Sequence, residues 1–117
     1  MDRFFDETRP MGYDELYCVT QKLKKEYDFL QSFSIGKSVL GRSIITYLLG
    51  KGRPCILYVG GHHALEYITS MLLVRLTEDL CRCYRSGENL GGFDIHSILS
   101  ACSVYIIPML NPDGVEI

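Results

Sequence analysis

The stretch that most constrains this 117-residue chain is Cys55-Ile56-Leu57-Tyr58-Val59, followed at once by Gly60-Gly61. These apolar residues show no polar alternation. Such a strand has two faces to bury, so it predicts an interior strand of a sheet covered on both sides. Beyond the glycines come His62 and His63, then Glu66, then an apolar helical run from about Leu65 to Tyr84. An imidazole and a carboxylate where a strand turns into a helix stand at the carboxyl end of a sheet, where open α/β folds hold their ligands.

The flanking patterns supply the layers. Leu16, Val19, Leu23, Tyr27 and Leu30 recur at steps of three and four, which predicts a helix from Tyr13. Asp14 and Glu15 at its start and Lys24 and Lys25 near its end suit the helix dipole. Residues 1–12 read as an arm packed on the body. Phe33 and Ile35 alternate with Ser32 and Ser34, and Ser43–Leu49 is β-branched and aromatic, so the two segments predict an antiparallel hairpin joined through Gly36–Gly41. Ile68, Met71, Leu72, Leu76 and Leu80 form a stripe on the long helix. A short helix follows, with Asp94 as its cap and Ile95, Ile98, Leu99 and Cys102 inward. A second interior strand, Val104–Ile107, then leads into Asn111-Pro112-Asp113-Gly114. That order of elements is an α/β layer architecture, and no composition shift divides residues 1–117 into separate domains.

Net charge of −2 gives no footprint for nucleic acid or an anionic membrane surface. No apolar run is long enough to span a bilayer. Met1–Asp6 lacks the apolar core of a signal peptide, so none is expected. The five cysteines are odd in number and irregularly spaced, and Cys81-Arg82-Cys83 lacks the two-residue gap of zinc or redox pairs. A reducing cytoplasm is the expected location.

Positions three apart on a helix share a face, so His63 and Glu66 can converge on one point beyond the sheet. Zinc accepts imidazole nitrogen and carboxylate oxygen, and catalytic zinc sites commonly use three protein ligands and a water. The chain supplies two of such a set. The bland alternative stands beside this: His63 as a loop histidine and Glu66 as a first-turn partner of the helix dipole. His62 is expected to point elsewhere, and His96 to pack on the short helix or face solvent. Asn111–Gly114 has the composition of a turn, yet it follows an interior strand and is expected at the same sheet end as His63. A metal-bound histidine donates its other ring N–H to a carboxylate or carbonyl, and Asp113 is the expected acceptor.

Together these motifs resemble the zinc carboxypeptidase family. The likeness runs from the helix at Tyr13, through Ser34-Ile35-Gly36-Lys37-Ser38-Val39-Leu40-Gly41-Arg42 (similar to the family's hairpin with its Ser-x-x-Gly-Arg signature), to His63-Ala64-Leu65-Glu66-Tyr67, which looks like its His-x-x-Glu zinc motif. It closes at Asn111-Pro112-Asp113-Gly114. The Gly-Gly-His-His form and the missing signal peptide look most like bacterial cytoplasmic members, some of which cleave γ-D-glutamyl–diaminopimelate bonds of cell-wall peptides. The resemblance implies a mixed, mostly parallel sheet with helices on both faces, with Cys55–Val59 interior. It implies zinc (Zn2+) as cofactor, His63 and Glu66 as metal ligands, Asp113 bonded to His63, and a peptide substrate cut near its C-terminus. In the family, zinc polarises the scissile carbonyl and activates water.

The match reaches only the family's fourth strand. The third zinc ligand, the substrate-binding Asn-Arg pair, the oxyanion arginine and the general-base glutamate of family members have no matching position among residues 1–117, and Arg42 belongs to the hairpin. The chain is therefore expected to be the N-terminal part of a single catalytic domain, with no catalytic residue of its own and no activity alone. A second reading is a non-catalytic module that pairs through an open sheet edge with itself or with the missing C-terminal part. A third is a zinc deacylase or desuccinylase, which the hairpin and the Asn-Pro-Asp-Gly loop disfavour.

Overall fold

The computed structural model describes residues 3–63 and 67–115. Helix α1 (Tyr13–Glu26) buries Leu16, Val19, Thr20 and Leu23 on one face, as their spacing predicts. Strands β1 (Gln31–Lys37) and β2 (Ser43–Leu49) form the antiparallel hairpin, with the register broken between Ser34 and Lys37. β3 (Cys55–Val59) leads towards α2 (Tyr67–Ser86). A small ribbon of β4 (Asn89–Leu90) and β5 (Phe93–Asp94) follows where the sequence suggested only a connection. Helix α3 (Ile95–Ala101) is capped by Asp94, whose carboxylate accepts from the Ser97 amide at 3.3 Å. Ile95, Leu99 and Cys102 are buried as expected, whereas Ile98 is exposed. β6 (Ser103–Ile107) and the single-turn α4 (Pro112–Val115) complete the order.

The sheet runs β1-β2-β6-β3. β2 pairs antiparallel with both β1 and β6, and β3 pairs parallel with β6. The sheet is thus mixed, and antiparallel pairing outweighs parallel among these four strands. Residues directly opposite one another share a face. Ser32, Tyr47, Ile106 and Tyr58 therefore line one side, and Gln31, Leu48, Tyr105 and Leu57 the other. α1 lies over the first side, because the Thr20 and Tyr47 hydroxyls meet at 2.5 Å. Thr20 donates to the Leu16 carbonyl at 2.7 Å, which leaves Tyr47 as the donor in that pair. Tyr47 is fully buried, and burial pushes its phenol well above the usual range.

Cys55–Val59 forms the expected strand with the open edge that the second reading requires, but it is not covered on both faces by the described residues. The later strand β6 inserts between β2 and β3, so β6 takes the buried interior position and β3 lies at the edge. Among the described residues nothing pairs with β3 on its far side, and Leu57 and Tyr58 are 60% and 44% exposed. Phe33 and Ile35, on β1, are also exposed, so the described helices leave part of the second face uncovered.

The arm is packed on the body, as expected. Arg3 donates to Asp79 at 2.7 Å and to Glu78 at 3.0 Å, and the Phe4 amide donates to Glu78 at 2.7 Å. Glu78 is buried on α2, so the arm supplies the donors its carboxylate lost to water. The Phe4 ring stacks on Tyr27, and Arg85 of α2 lies 4.5 Å over the same Tyr27 ring.

Candidate functional site

β3 and β6 are parallel neighbours, so the loops that follow them leave the sheet at the same end. Three backbone hydrogen bonds lock the two loops together. The Gly60 amide donates to the Ile107 carbonyl at 2.9 Å, the Leu110 amide to Gly60 at 2.9 Å, and the Asn111 amide to Gly61 at 2.8 Å. Gly61 sits at φ +64, against Met109 and the buried Ser70, and its amide donates to the Thr69 hydroxyl of α2 at 2.9 Å. The strand end, the start of α2 and the loop after β6 thus meet around one glycine.

His62 and His63 follow, both exposed, with ring centroids 6.2 Å apart and planes at 44°. Glu66 lies outside the described residues. An exposed imidazole at the carboxyl end of a strand is the donor zinc takes, so His63 fits as one ligand. Among the described residues no group of three or more His, Cys, Asp and Glu side chains is placed to hold a metal ion. His96 lies on α3, which precedes β6 and so stands at the opposite end of the sheet. Its ring stacks on Tyr84 at 4.7 Å, a packing role. Tyr67 lines a groove of about 520 Å³ with Met71 and Arg75 of α2 and Phe5 and Arg9 of the arm.

The Asn-Pro-Asp-Gly stretch does emerge beside the His63 loop. Asp113, however, spends its hydrogen bonds on the hairpin connector. Its Oδ1 accepts from the Ser38 hydroxyl and from Arg42 Nη1, each at 2.8 Å, and its Oδ2 accepts from the Leu40 amide at 3.0 Å. Ser38 Oγ in turn accepts from the Arg42 amide at 2.9 Å. Sequence reasoning gave Ser38 and Arg42 no role here. The signal was present as the Ser-x-x-Gly-Arg spacing, but its partner lies 71 to 75 residues downstream.

Desolvation raises the Asp113 carboxyl, but the donors from Leu40, Arg42 and Ser38 outweigh it and hold the group below the usual carboxylate range. A pKa lower in the folded than in the unfolded chain means the clamp stabilises the fold above the ordinary aspartate range. That contribution is lost as pH falls through the depressed value. The melting-temperature gap between the native chain and Asp113→Asn is therefore expected to be widest near neutrality and to shrink on acidification. A gap that stays constant with pH would show that the charge of Asp113 contributes nothing.

The family described as zinc carboxypeptidase matches residues 16–117. The chain is 32% identical over 97 residues to γ-D-glutamyl-L-diamino acid endopeptidase 1 of Lysinibacillus sphaericus, covering 83% of this chain and 24% of that protein. It is 32% identical over 113 residues to carboxypeptidase B of Astacus astacus, covering 93% of this chain and 35% of the relative. Among solved structures, thrombin activatable fibrinolysis inhibitor superposes with a TM-score of 0.79 at 18% identity, over 99% of this chain and 29% of that one. Carboxypeptidase A from Helicoverpa armigera gives 0.74 at 22% identity, over 92% of this chain and 26% of that one. These structures carry the same fold, and the chain spans about a quarter to a third of the length of the relatives just named. The hairpin, the strand ending in Gly60-Gly61-His62-His63 and the loop locked beside it therefore have one origin: this chain belongs to the zinc carboxypeptidase family.

Proposed function

We propose that residues 1–117 are the N-terminal part of a zinc-dependent peptidase domain in which His63 and Glu66 bind the metal. The observation that carries this reading is His63, exposed on the loop at the carboxyl ends of two adjacent parallel strands. Zinc bound there would supply Lewis-acid polarisation of a peptide carbonyl and an activated water. The remaining ligand, the general base and the substrate-binding groups come from outside these residues. Peptides with a γ-D-glutamyl–diamino acid bond, as in bacterial cell walls, are the proposed substrate class, on the likeness to the Lysinibacillus sphaericus endopeptidase. A cytoplasmic setting is proposed from the five free cysteines. No helix among the described residues is long and apolar enough to cross a membrane.

Titration of the purified chain with zinc against a chromophoric chelator tests the reading. Weak binding is expected, because two protein ligands leave the coordination shell largely to water. His63→Ala should weaken it further, by roughly tenfold or more. Binding indifferent to His63→Ala would sink the assignment. Blocked peptides should not be hydrolysed above the His63→Ala background, and clear turnover by the native chain would show that it needs no further part.

The exposed β3 edge supports a second reading, in which these residues act by pairing with another chain. Both readings share the requirement that something cover β3.

A further inference from the structure

The Asn-Pro-Asp-Gly motif has a use that the zinc reading does not absorb. Asn111 faces two ways. Its Oδ1 accepts from the Gly114 amide at 3.0 Å and so caps α4, while its Nδ2 donates to the His62 carbonyl at 3.2 Å. Its backbone amide holds Gly61 and its carbonyl accepts from Val115 at 3.1 Å. Gly114 leaves room for this amide group: a Cβ there would stand 2.5 Å from Asn111 Nδ2 and 2.9 Å from Cγ. Pro112 is fully buried and opens the turn without needing a donor. Asp113 then fixes the same turn to Ser38, Leu40 and Arg42 of the hairpin connector.

We propose that Asn111 is a positioning residue for the His63 loop, fixing the His62 carbonyl to a turn that Asp113 anchors on the β1–β2 connector. The peptide plane between His62 and His63 is the link through which this acts. With the His62 carbonyl held, the backbone that carries His63 keeps one orientation beyond the sheet. Metal affinity follows from that orientation, so this part rests on the zinc reading above. The ordering of the loop does not.

Asn111→Asp separates capping from positioning. Aspartate keeps the oxygen that caps Gly114, and it is an equally good cap. It replaces the donor facing the His62 carbonyl with an acceptor. Amide hydrogen exchange, thermal melting and zinc affinity are measured on the purified 117-residue chain. The expected result is exchange at Gly61 and Asn111 roughly three- to tenfold faster, with β6 amides unmoved, as for the loss of one hydrogen bond in a locally opening segment. Zinc binding should weaken roughly tenfold with little change in melting temperature. If Gly61 exchange is unchanged, or rises only in step with β6, the positioning role is wrong. Should Asn111→Asp fail to fold, Asn111→Ser keeps a capping oxygen, lacks the amide that reaches the His62 carbonyl, and is read identically. If the native chain takes no zinc through His63, the functional reading fails, and the exchange result still decides the role of Asn111.

Discussion

Gly61→Ala is expected to destabilise the chain by about 2–5 kcal/mol, summing a left-handed backbone penalty and overpacking against fixed atoms. The backbone at Gly61 sits at φ +64, which costs an L side chain on the order of 1–2 kcal/mol by itself. A Cβ there would stand 2.8 Å from Met109 Cα, 2.8 Å from Ser70 Oγ and 3.1 Å from the Pro108 carbonyl. Met109 and Ser70 are buried and cannot swing away, and Met109 is followed by the two residues whose amides hold Gly60 and Gly61. Relief of the clash therefore pulls apart the loops that meet at the sheet end. Domains of this size have total stabilities of about 5–15 kcal/mol, so the loss is a large fraction. Urea denaturation measures it, with Gly36→Ala as the control, because a Cβ at Gly36 meets nothing within 4 Å. A cost at Gly61 below about 1 kcal/mol would mean that the two loops are not rigidly joined.

The second large effect is expected in solution assembly. An edge strand with exposed Ile56, Leu57 and Tyr58 presents unpaired backbone groups between apolar side chains. Such edges add strands from other chains unless charges or bulges block them, and β3 has neither. The isolated chain is expected to self-associate at roughly tens of micromolar, the range in which exposed edges drive aggregation. Leu57→Lys places a charge on that edge and should return the mass measured by light scattering to that of a monomer. A native chain that is strictly monomeric at those concentrations would remove the open edge as an interaction surface. On the proposed pairing through β3, a separate C-terminal part of a family member is expected to compete with self-association for that strand.

The sequence pattern carried the elements further than it carried their neighbours. Local periodicity located α1, the hairpin, β3, α3 with its Asp94 cap, and β6, because each is set by residues close in the chain. It read β3 as covered on both faces and left the strand order open, since an apolar strand reads the same whether its cover comes from this segment or another. Spatial order was decided by β6, which arrives 44 residues after β3 ends (103 against 59) and takes the central place. Asp113 shows the same limit at a smaller scale. Its motif was legible, and its position beside the His63 loop followed from two strands with a common exit. Its partners were not legible, because the side chain turns to a hairpin connector that only tertiary packing brings near. Glu66 lies outside the described residues, so the zinc role proposed for it rests on the His-x-x-Glu spacing.

The cysteines turn the state of the sheet edge into a chemical signal. Cys81, Cys83 and Cys102 are buried, and burial, with Glu78 nearby, pushes the Cys81 thiol up to about 12, out of reach of thiolate chemistry near neutrality. Cys18 and Cys55 are exposed, one on α1 and the other at the start of β3. A thiol reagent should therefore report on two places in the folded chain. Cys18 is expected to serve as the reference, and labelling of Cys55 is expected to fall when a strand is laid beside β3. The ratio of the two labels is then expected to follow the fraction of open edges in the same sample, whatever fills them.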